Sequence, residues 1–391
     1  MAQADLHTVA ALERLGTETA FEVLARAKKL EDEGRDIINL GIGQPDFTTP
    51  ENIVEAAIKA LKDGHHGYTP ANGILPLREA VAEDIANRRE VTVDPDHIVI
   101  MPGGKVTMFF AILMFGEPGA EIIYPNPGFP IYESVINFSG AKAVPMPLLE
   151  ENDFAFSADT VLGLITPKTR LIILNSPSNP TGGAFPMAEV DKLVAGLEAH
   201  PHVAVMSDEI YDRILYDGRE HVCFLKYESL RDRLILLNGW SKTYAMTDWR
   251  LGYSVWPEKL VEPVTRLAIN CHSCVNAATQ FAGIEALKGP QDRVDEMVAA
   301  FTNRRQVIQQ ELNQIPGFRC IEPGGAFYAF PNIEGTGLSA QELQNKLLNE
   351  AGIATISGTS FGSYGEGYIR FSYANSEENI RAAAKRIKDV L

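Results

Sequence analysis

Several short runs of this chain are apolar at every position, and that constrains its fold more than any other feature. Leu171-Ile172-Ile173-Leu174, Val203-Ala204-Val205-Met206 and Leu234-Ile235-Leu236-Leu237 present no polar face. A strand of that kind has to be covered on both sides. His97-Ile98-Val99-Ile100, Glu121-Ile122-Ile123-Tyr124 and Gly252-Tyr253-Ser254-Val255-Trp256 are further strand candidates. Helical patterns lie between them, as at Val106 to Phe115 and Ala188 to Leu197. This alternation predicts an α/β protein whose mainly parallel sheet is sandwiched by helices. Ligands in such sheets collect beyond the carboxyl ends of the strands.

A chain of 391 residues exceeds what one hydrophobic core usually serves, so a large domain with a smaller companion is expected. After residue 285 the texture changes to long charged helices, Asp292 to Gln314 and Ala340 to Ala351, separated by the apolar segment Gly325-Ala326-Phe327-Tyr328-Ala329-Phe330. The strand-like stretch Gly367 to Tyr373 precedes a final helix. This predicts a second, α+β domain, against which an N-terminal helix, Thr17 to Glu33, is expected to pack. The expected division is 1–45 and 286–391 for the small domain and 46–285 for the large one.

A net charge of −16 speaks against broad attachment to nucleic acid or anionic membrane, since both need basic surface. No apolar run approaches the roughly 20 residues of a membrane helix. The start, Met1 to His7, has neither a basic stretch nor an apolar signal core. Four cysteines in so long a chain form no disulfide framework, and a reducing cytoplasm is expected. Cys271-His272-Ser273-Cys274 has a C-x-x-C spacing, but Cys223 and Cys320 are isolated, so no four-ligand zinc set forms and no metal is expected.

The strand ends carry the polar chemistry. The first runs into Met101-Pro102-Gly103-Gly104-Lys105 and then a helix, placing bare backbone N–H groups at a helix N-terminus, a seat for phosphate; by itself it is also what a plain glycine turn looks like. It is not a Walker loop, because Val99 stands where that motif needs glycine and Val106 where it needs serine or threonine. The run ending at Leu174 leads into Asn175-Ser176-Pro177-Ser178-Asn179-Pro180-Thr181-Gly182. The next ends in Ser207-Asp208-Glu209-Ile210-Tyr211, a carboxylate followed by a phenol, and the next delivers Ser241-Lys242, with Arg250 eight residues beyond the lysine. A shielded lysine can lose its proton and condense with a carbonyl, while an arginine holds a phosphate as a fixed cation. An anion seat, an amide, a carboxylate with a phenol, and an amine with an arginine match the phosphate, ring oxygen, ring nitrogen and aldehyde of pyridoxal phosphate (PLP).

With these motifs in this order the chain resembles the fold-type-I PLP enzymes, specifically the class I/II aminotransferases related to bacterial aspartate and aromatic aminotransferases. The likeness runs from Gly41-Ile42-Gly43-Gln44-Pro45-Asp46-Phe47 through Asn179-Pro180-Thr181-Gly182, Ser207-Asp208-Glu209-Ile210-Tyr211 and Ser241-Lys242 to Arg370-Phe371-Ser372-Tyr373. The resemblance implies a seven-stranded sheet and a homodimer with shared active sites. It implies Lys242 as the residue that bonds the cofactor and carries the substrate's proton, and Asp208 as partner of the ring nitrogen. Asn179 and Tyr211 would meet the ring oxygen and Phe129 the ring face. Gly103, Gly104, Ser241 and Arg250 would hold the phosphate, joined by Tyr68 of a neighbouring subunit. Arg370, with Gly43 and Asn179 beside it, would grip the substrate carboxylate. Two positions depart from the family pattern: Gly239 stands where many relatives carry serine, and Asp248 where glycine commonly precedes the Trp-Arg pair.

Lys105, after the two glycines, stands where the aspartate-using branch places a lysine that meets the distal carboxylate and lies beside the phosphate seat. The expected reaction is transfer of an amino group from a dicarboxylic amino acid to a 2-oxo acid of the 2-oxoglutarate type. Aromatic or neutral donors remain open, as does a PLP lyase on the same scaffold. A DNA-binding regulator would need a basic extension, and Gly41-x-Gly43 lacks the third glycine of a dinucleotide fingerprint.

Overall fold

The computed structural model describes residues 6–391; Met1 to Asp5, part of the segment read for an export signal, lie outside them. The six strand candidates named first all lie in one seven-stranded sheet, in the spatial order Ile98–Met101, Gly252–Val255, Leu234–Gly239, Ala204–Asp208, Thr169–Asn175, Glu121–Asn126, Lys142–Pro147. Gly252–Val255 pairs antiparallel with both neighbours, and the remaining strands run parallel. Side chains along a strand alternate faces, and both faces here are apolar. Ile172, Leu174, Leu234 and Leu236 join one core, whereas Leu171, Ile173, Ile235 and Leu237 join another across the sheet.

Lys142–Pro147 is a strand the apolar runs do not reveal. It lies at the sheet edge, is half-buried and carries Pro145 and Pro147, which only an edge tolerates because proline cannot donate to a ladder.

The C-terminal part has its own core around Phe301, Phe327, Tyr328, Phe371 and Tyr373. The long helix Asp292–Leu312 lies along the final helix Glu377–Val390, beside an antiparallel sheet ordered Ile356–Ser357, Ile369–Ser372, Tyr328–Ala329. Ile38–Asn39 pairs in parallel with Ile353–Ala354, so the N-terminal segment is stitched to the C-terminal one. The helix expected over Thr17 to Glu33 spans Thr19–Asp32. It contacts the strands Ile353–Ala354 and Ile356–Ser357, and Arg26 Nη1 donates to Asn345 Oδ1 at 2.9 Å. Val23 and Ala27 on the same helix are buried in a core shared with the large sheet, so the helix wedges between the two parts.

A buried ion network pins the end of the Ala204–Asp208 strand. Arg89 donates to Glu209 and, at 2.6 Å, to Asp212 Oδ2, while Arg88 Nη1 reaches the same oxygen at 3.0 Å and His221 Nε2 lies 2.7 Å from Glu209 Oε2. The arginines hold the Asp212 carboxyl well below the usual carboxylate range against the opposing effect of burial. Arg89→Met would leave the buried carboxylates with only Arg88 at Asp212 and His221 at Glu209 as basic partners. It is expected to cost about 3–5 kcal/mol, read as a lowered midpoint of urea unfolding.

Candidate active site

Strand register sets the level of the site. Asn175 faces Asp208, Asp208 faces Leu237, and Gly252 lies between Gly239 and Met101, so the carboxyl ends form one rim. Above it opens a cavity of about 600 Å³ bounded by strand ends, the first turn of helix Gly104–Phe115, the Ile42–Gln44 segment, and Tyr328 and Arg370 from the C-terminal part.

Asp208 sits in the floor of this cavity, 2% exposed. Tyr132 donates its hydroxyl to Oδ2 at 2.6 Å and the Ile210 N–H donates to Oδ1 at 3.2 Å. Among the described residues Asp208 has no ion-pair partner. Burial therefore pushes its carboxyl up to about 6, with Tyr132 pulling the other way. A buried carboxylate without a countercharge is a place prepared for a cation or a proton donor.

Lys242 extends from the turn after Leu234–Gly239, and its Nζ donates to the Gly43 carbonyl at 2.5 Å. The Tyr211 and Phe327 rings stand 5.9 Å from Nζ. Burial, and then the positive charges of Arg370 and Arg250, lower the ammonium to about 8. Beside it Gly103 caps helix Gly104–Phe115 at φ 87°, and a Cβ there would lie 2.1 Å from Arg250 Nη2. Only glycine lets the helix N-terminus and the guanidinium approach so closely.

Arg370 arrives on strand Ile369–Ser372. Nη1 donates to Asn179 Oδ1 at 2.8 Å and Nη2 donates to the Gly41 carbonyl, but Nε is buried without a partner. The Tyr211 and Tyr328 hydroxyls are 2.8 Å apart, and burial pushes Tyr211 well above the usual phenol range.

Gly43, Gly104, Lys105, Phe129, Asn179, Asp208, Tyr211, Ser241, Lys242, Arg250 and Arg370 all line this one cavity. Gly103 lies just behind the wall, against Arg250. Tyr68 lies outside it and is 93% exposed. Lys105 reaches the cavity, but its ammonium is ion-paired with Glu18 from the N-terminal segment. Sequence reasoning missed Tyr132, Tyr328 and Glu18, all in the cavity wall; Tyr328 lay in an apolar run and Tyr132 three residues beyond Phe129, and neither carries a local mark of its role. The structure also accounts for Gly239: a Cβ there would lie 2.9 Å from the Gly252 Cα, so the neighbouring antiparallel strand leaves a serine no room without a shift.

The family model described as aminotransferase class I and II matches residues 35–387. The chain belongs to the class I and II aminotransferases. It is 39% identical over 372 residues to the aspartate aminotransferase of Pyrococcus horikoshii, covering 95% of this chain and 93% of that one. It is 37% identical over 358 residues to aromatic-amino-acid aminotransferase 2 of Thermococcus litoralis, with 91% and 92% coverage. The crystal structure of the aspartate aminotransferase from Rhizobium meliloti superposes with a TM-score of 0.94 at 33% identity over 99% of both chains.

Aminotransferases of this class depend on PLP, and the cavity fits it. The uncompensated Asp208 carboxylate can take a protonated ring nitrogen, the glycine-capped helix with Arg250 can take a phosphate, and the half-buried amine of Lys242 can take an aldehyde. Among the described residues no group of His, Cys, Asp and Glu could hold a metal, and no helix is long and apolar enough to cross a membrane. In cofactor-free protein, an amine-selective reagent is expected to label Lys242 with a midpoint near pH 8, the neutral amine being present above that pH and lost below it. Peptide mapping of labelled protein checks this; a midpoint at the ordinary lysine value would contradict the environment described.

Proposed function

We propose that this aminotransferase moves the amino group of a dicarboxylic L-amino acid, aspartate first, to a 2-oxo acid such as 2-oxoglutarate. The observation that supports it is the convergence in one cavity of the weakened ammonium of Lys242 and the Arg370 guanidinium with an unused buried N–H. The one is suited to move a proton, the other to hold a carboxylate.

When bound, PLP supplies the aldehyde that accepts the amino group and a ring that takes up the electron pair left on the substrate's α-carbon. Lys242 takes the proton from that carbon and returns it one position away, which its lowered basicity allows near neutral pH. Asp208, kept in place by Tyr132, keeps the ring nitrogen protonated. Asn179 and Tyr211 would hydrogen-bond the ring oxygen and Phe129 would pack on the ring. Gly103, Gly104, Ser241 and Arg250 would hold the phosphate. Arg370, steadied by Asn179 and Gly41, grips the substrate carboxylate with the backbone at Gly43. Arg370 and Lys242 come from different parts of the chain, so substrate binding draws those parts together and excludes water. The division at 46 and 286 belongs to the same reading, supported by a core built mainly of C-terminal residues with Ile38 and Leu40 from the N-terminal segment, which Tyr211, Ile214 and Tyr216 join from the large part.

Tyr68 belongs to the site only across a dimer, and its near-complete exposure in one subunit supports that assembly. A cytoplasmic role in amino acid biosynthesis completes the proposal, supported by four free thiols. Relatives named aspartate aminotransferase and the position of Lys105 favour a dicarboxylic donor. One observation favours a neutral or aromatic donor instead: Lys105 is paired with Glu18, beside Phe21, Leu24 and Met108 in the wall.

Lys242→Ala is expected to lower transamination by about a thousandfold or more and to remove the visible absorbance of bound cofactor. Near-normal activity in that variant would overturn the role of Lys242. Lys105→Ala is expected to raise KM for aspartate about tenfold with little change for phenylalanine; equal changes would remove Lys105 as a side-chain reader. A single-turnover panel of amino acids, followed by absorbance, ranks the donors.

A further inference from the structure

The mouth of the cavity holds a carboxylate for which the proposed chemistry has no use. Glu18 stands at the start of helix Thr19–Asp32 and caps no backbone N–H. Its side chain is 13% exposed and meets the ammonium of Lys105, whose side chain is 44% exposed. Arg14 and Gly16, just upstream, fasten the segment to helix Ile131–Ser139: Arg14 Nε donates to the Asn137 carbonyl at 2.8 Å and the Gly16 N–H to Ser134 Oγ at 2.9 Å. Lys105 is flanked by the Phe21 and Phe129 rings, 5.6 and 5.5 Å from its nitrogen.

We propose that Glu18 sets the side-chain preference of this enzyme by holding Lys105 whenever the substrate brings no distal carboxylate and yielding it to one that does. The inference deepens the reading of the cavity as a transaminase site. With the pair closed, Lys105 is neutralised and the wall beside it, Ala20, Phe21, Leu24 and Met108, is apolar, which suits a neutral side chain. A substrate with a distal carboxylate puts a second anion beside the same ammonium. Like charges at contact distance repel, so that substrate binds only as Glu18 gives way, and breaking the pair weakens its binding. A transaminase takes two substrates in turn at one site. A wall that is neutral for one and cationic for the other lets a substrate with a neutral side chain and a dicarboxylic one share it. The same carboxylate also acts at range on Lys242, raising its proton affinity against Arg370 and Arg250.

The test is Glu18→Gln in the PLP-loaded enzyme, with maleate as a dicarboxylate that has no amino group to lose. The dissociation constant of maleate and the KM of aspartate are each expected to fall about three- to tenfold. The KM of phenylalanine is expected to rise, because Lys105 then faces its side chain without a counter-ion. Glu18→Asp, which keeps the charge one methylene further back, is expected to fall between wild type and Glu18→Gln. In the Glu18→Gln, Lys105→Ala double variant the gain for maleate should vanish. An unchanged ratio of aspartate to phenylalanine KM, an equal shift for both, or a gain that survives loss of Lys105 would each overturn the proposal. If no amino acid changes the absorbance of the wild-type enzyme, the transaminase reading falls, while maleate binding still reports on Glu18 by itself.

Discussion

The cavity depends on the strand register that brings Asn175, Asp208 and Leu237, through parallel pairing, and Met101, through the antiparallel strand at Gly252, to one edge of a single sheet. Parallel strands joined by helical crossovers all enter from one side and leave from the other. Every loop that follows one of the six parallel strands therefore opens onto the same rim, which the antiparallel strand Gly252–Val255 meets with its first residue, and residues far apart in sequence meet there. Lys242, Asp208 and Asn179 share a floor for that reason, and the helix that starts at Gly104 points its N-terminus at the same place. A sheet buried on both faces also holds these groups rigidly, since strands such as Thr169–Asn175 and Leu234–Gly239 pack into one core above and another below.

The electrostatics follow from the burial. An exposed aspartate and an exposed lysine would keep their ordinary proton affinities; here burial raises Asp208 and lowers Lys242, so both shift toward neutrality. Arg370 and Arg250 reinforce the effect on Lys242. Two cations near one amine are unfavourable for folding, and their partners here are neutral oxygens: the Asn179 amide and the Gly41 carbonyl for Arg370, the Thr247 carbonyl for Arg250. Arg89, by contrast, is matched by Glu209 and Asp212 in direct contact, as expected of a group with a structural duty.

Much of this was legible from the chain, and the reasons differ by element. The apolar strands could be read because continuous hydrophobicity is a local property, whereas Lys142–Pro147 could not, because an edge strand needs no such run. The strand-end residues could be read because the place of a ligand in a parallel sheet is a rule of topology. Gly239 looked like a missing hydroxyl and proves to be a site of close backbone approach to Gly252. Tyr132 and Tyr328 carry no mark of their own, since each reaches its partner, Asp208 or Tyr211, through a fold that sets them 76 and 117 residues apart.

Sequence alone therefore determined the architecture and the class of chemistry, because hydrophobic periodicity and the order of polar residues at strand ends are written along the chain. Only the tertiary structure decided what each charged group confronts. Lys105 reads in the sequence as a free cation waiting for a substrate; folded, it is held by Glu18, 87 residues away. Ion pairing depends on distance in space and on exclusion of water. Neither is fixed until the N-terminal helix packs across the mouth of the cavity.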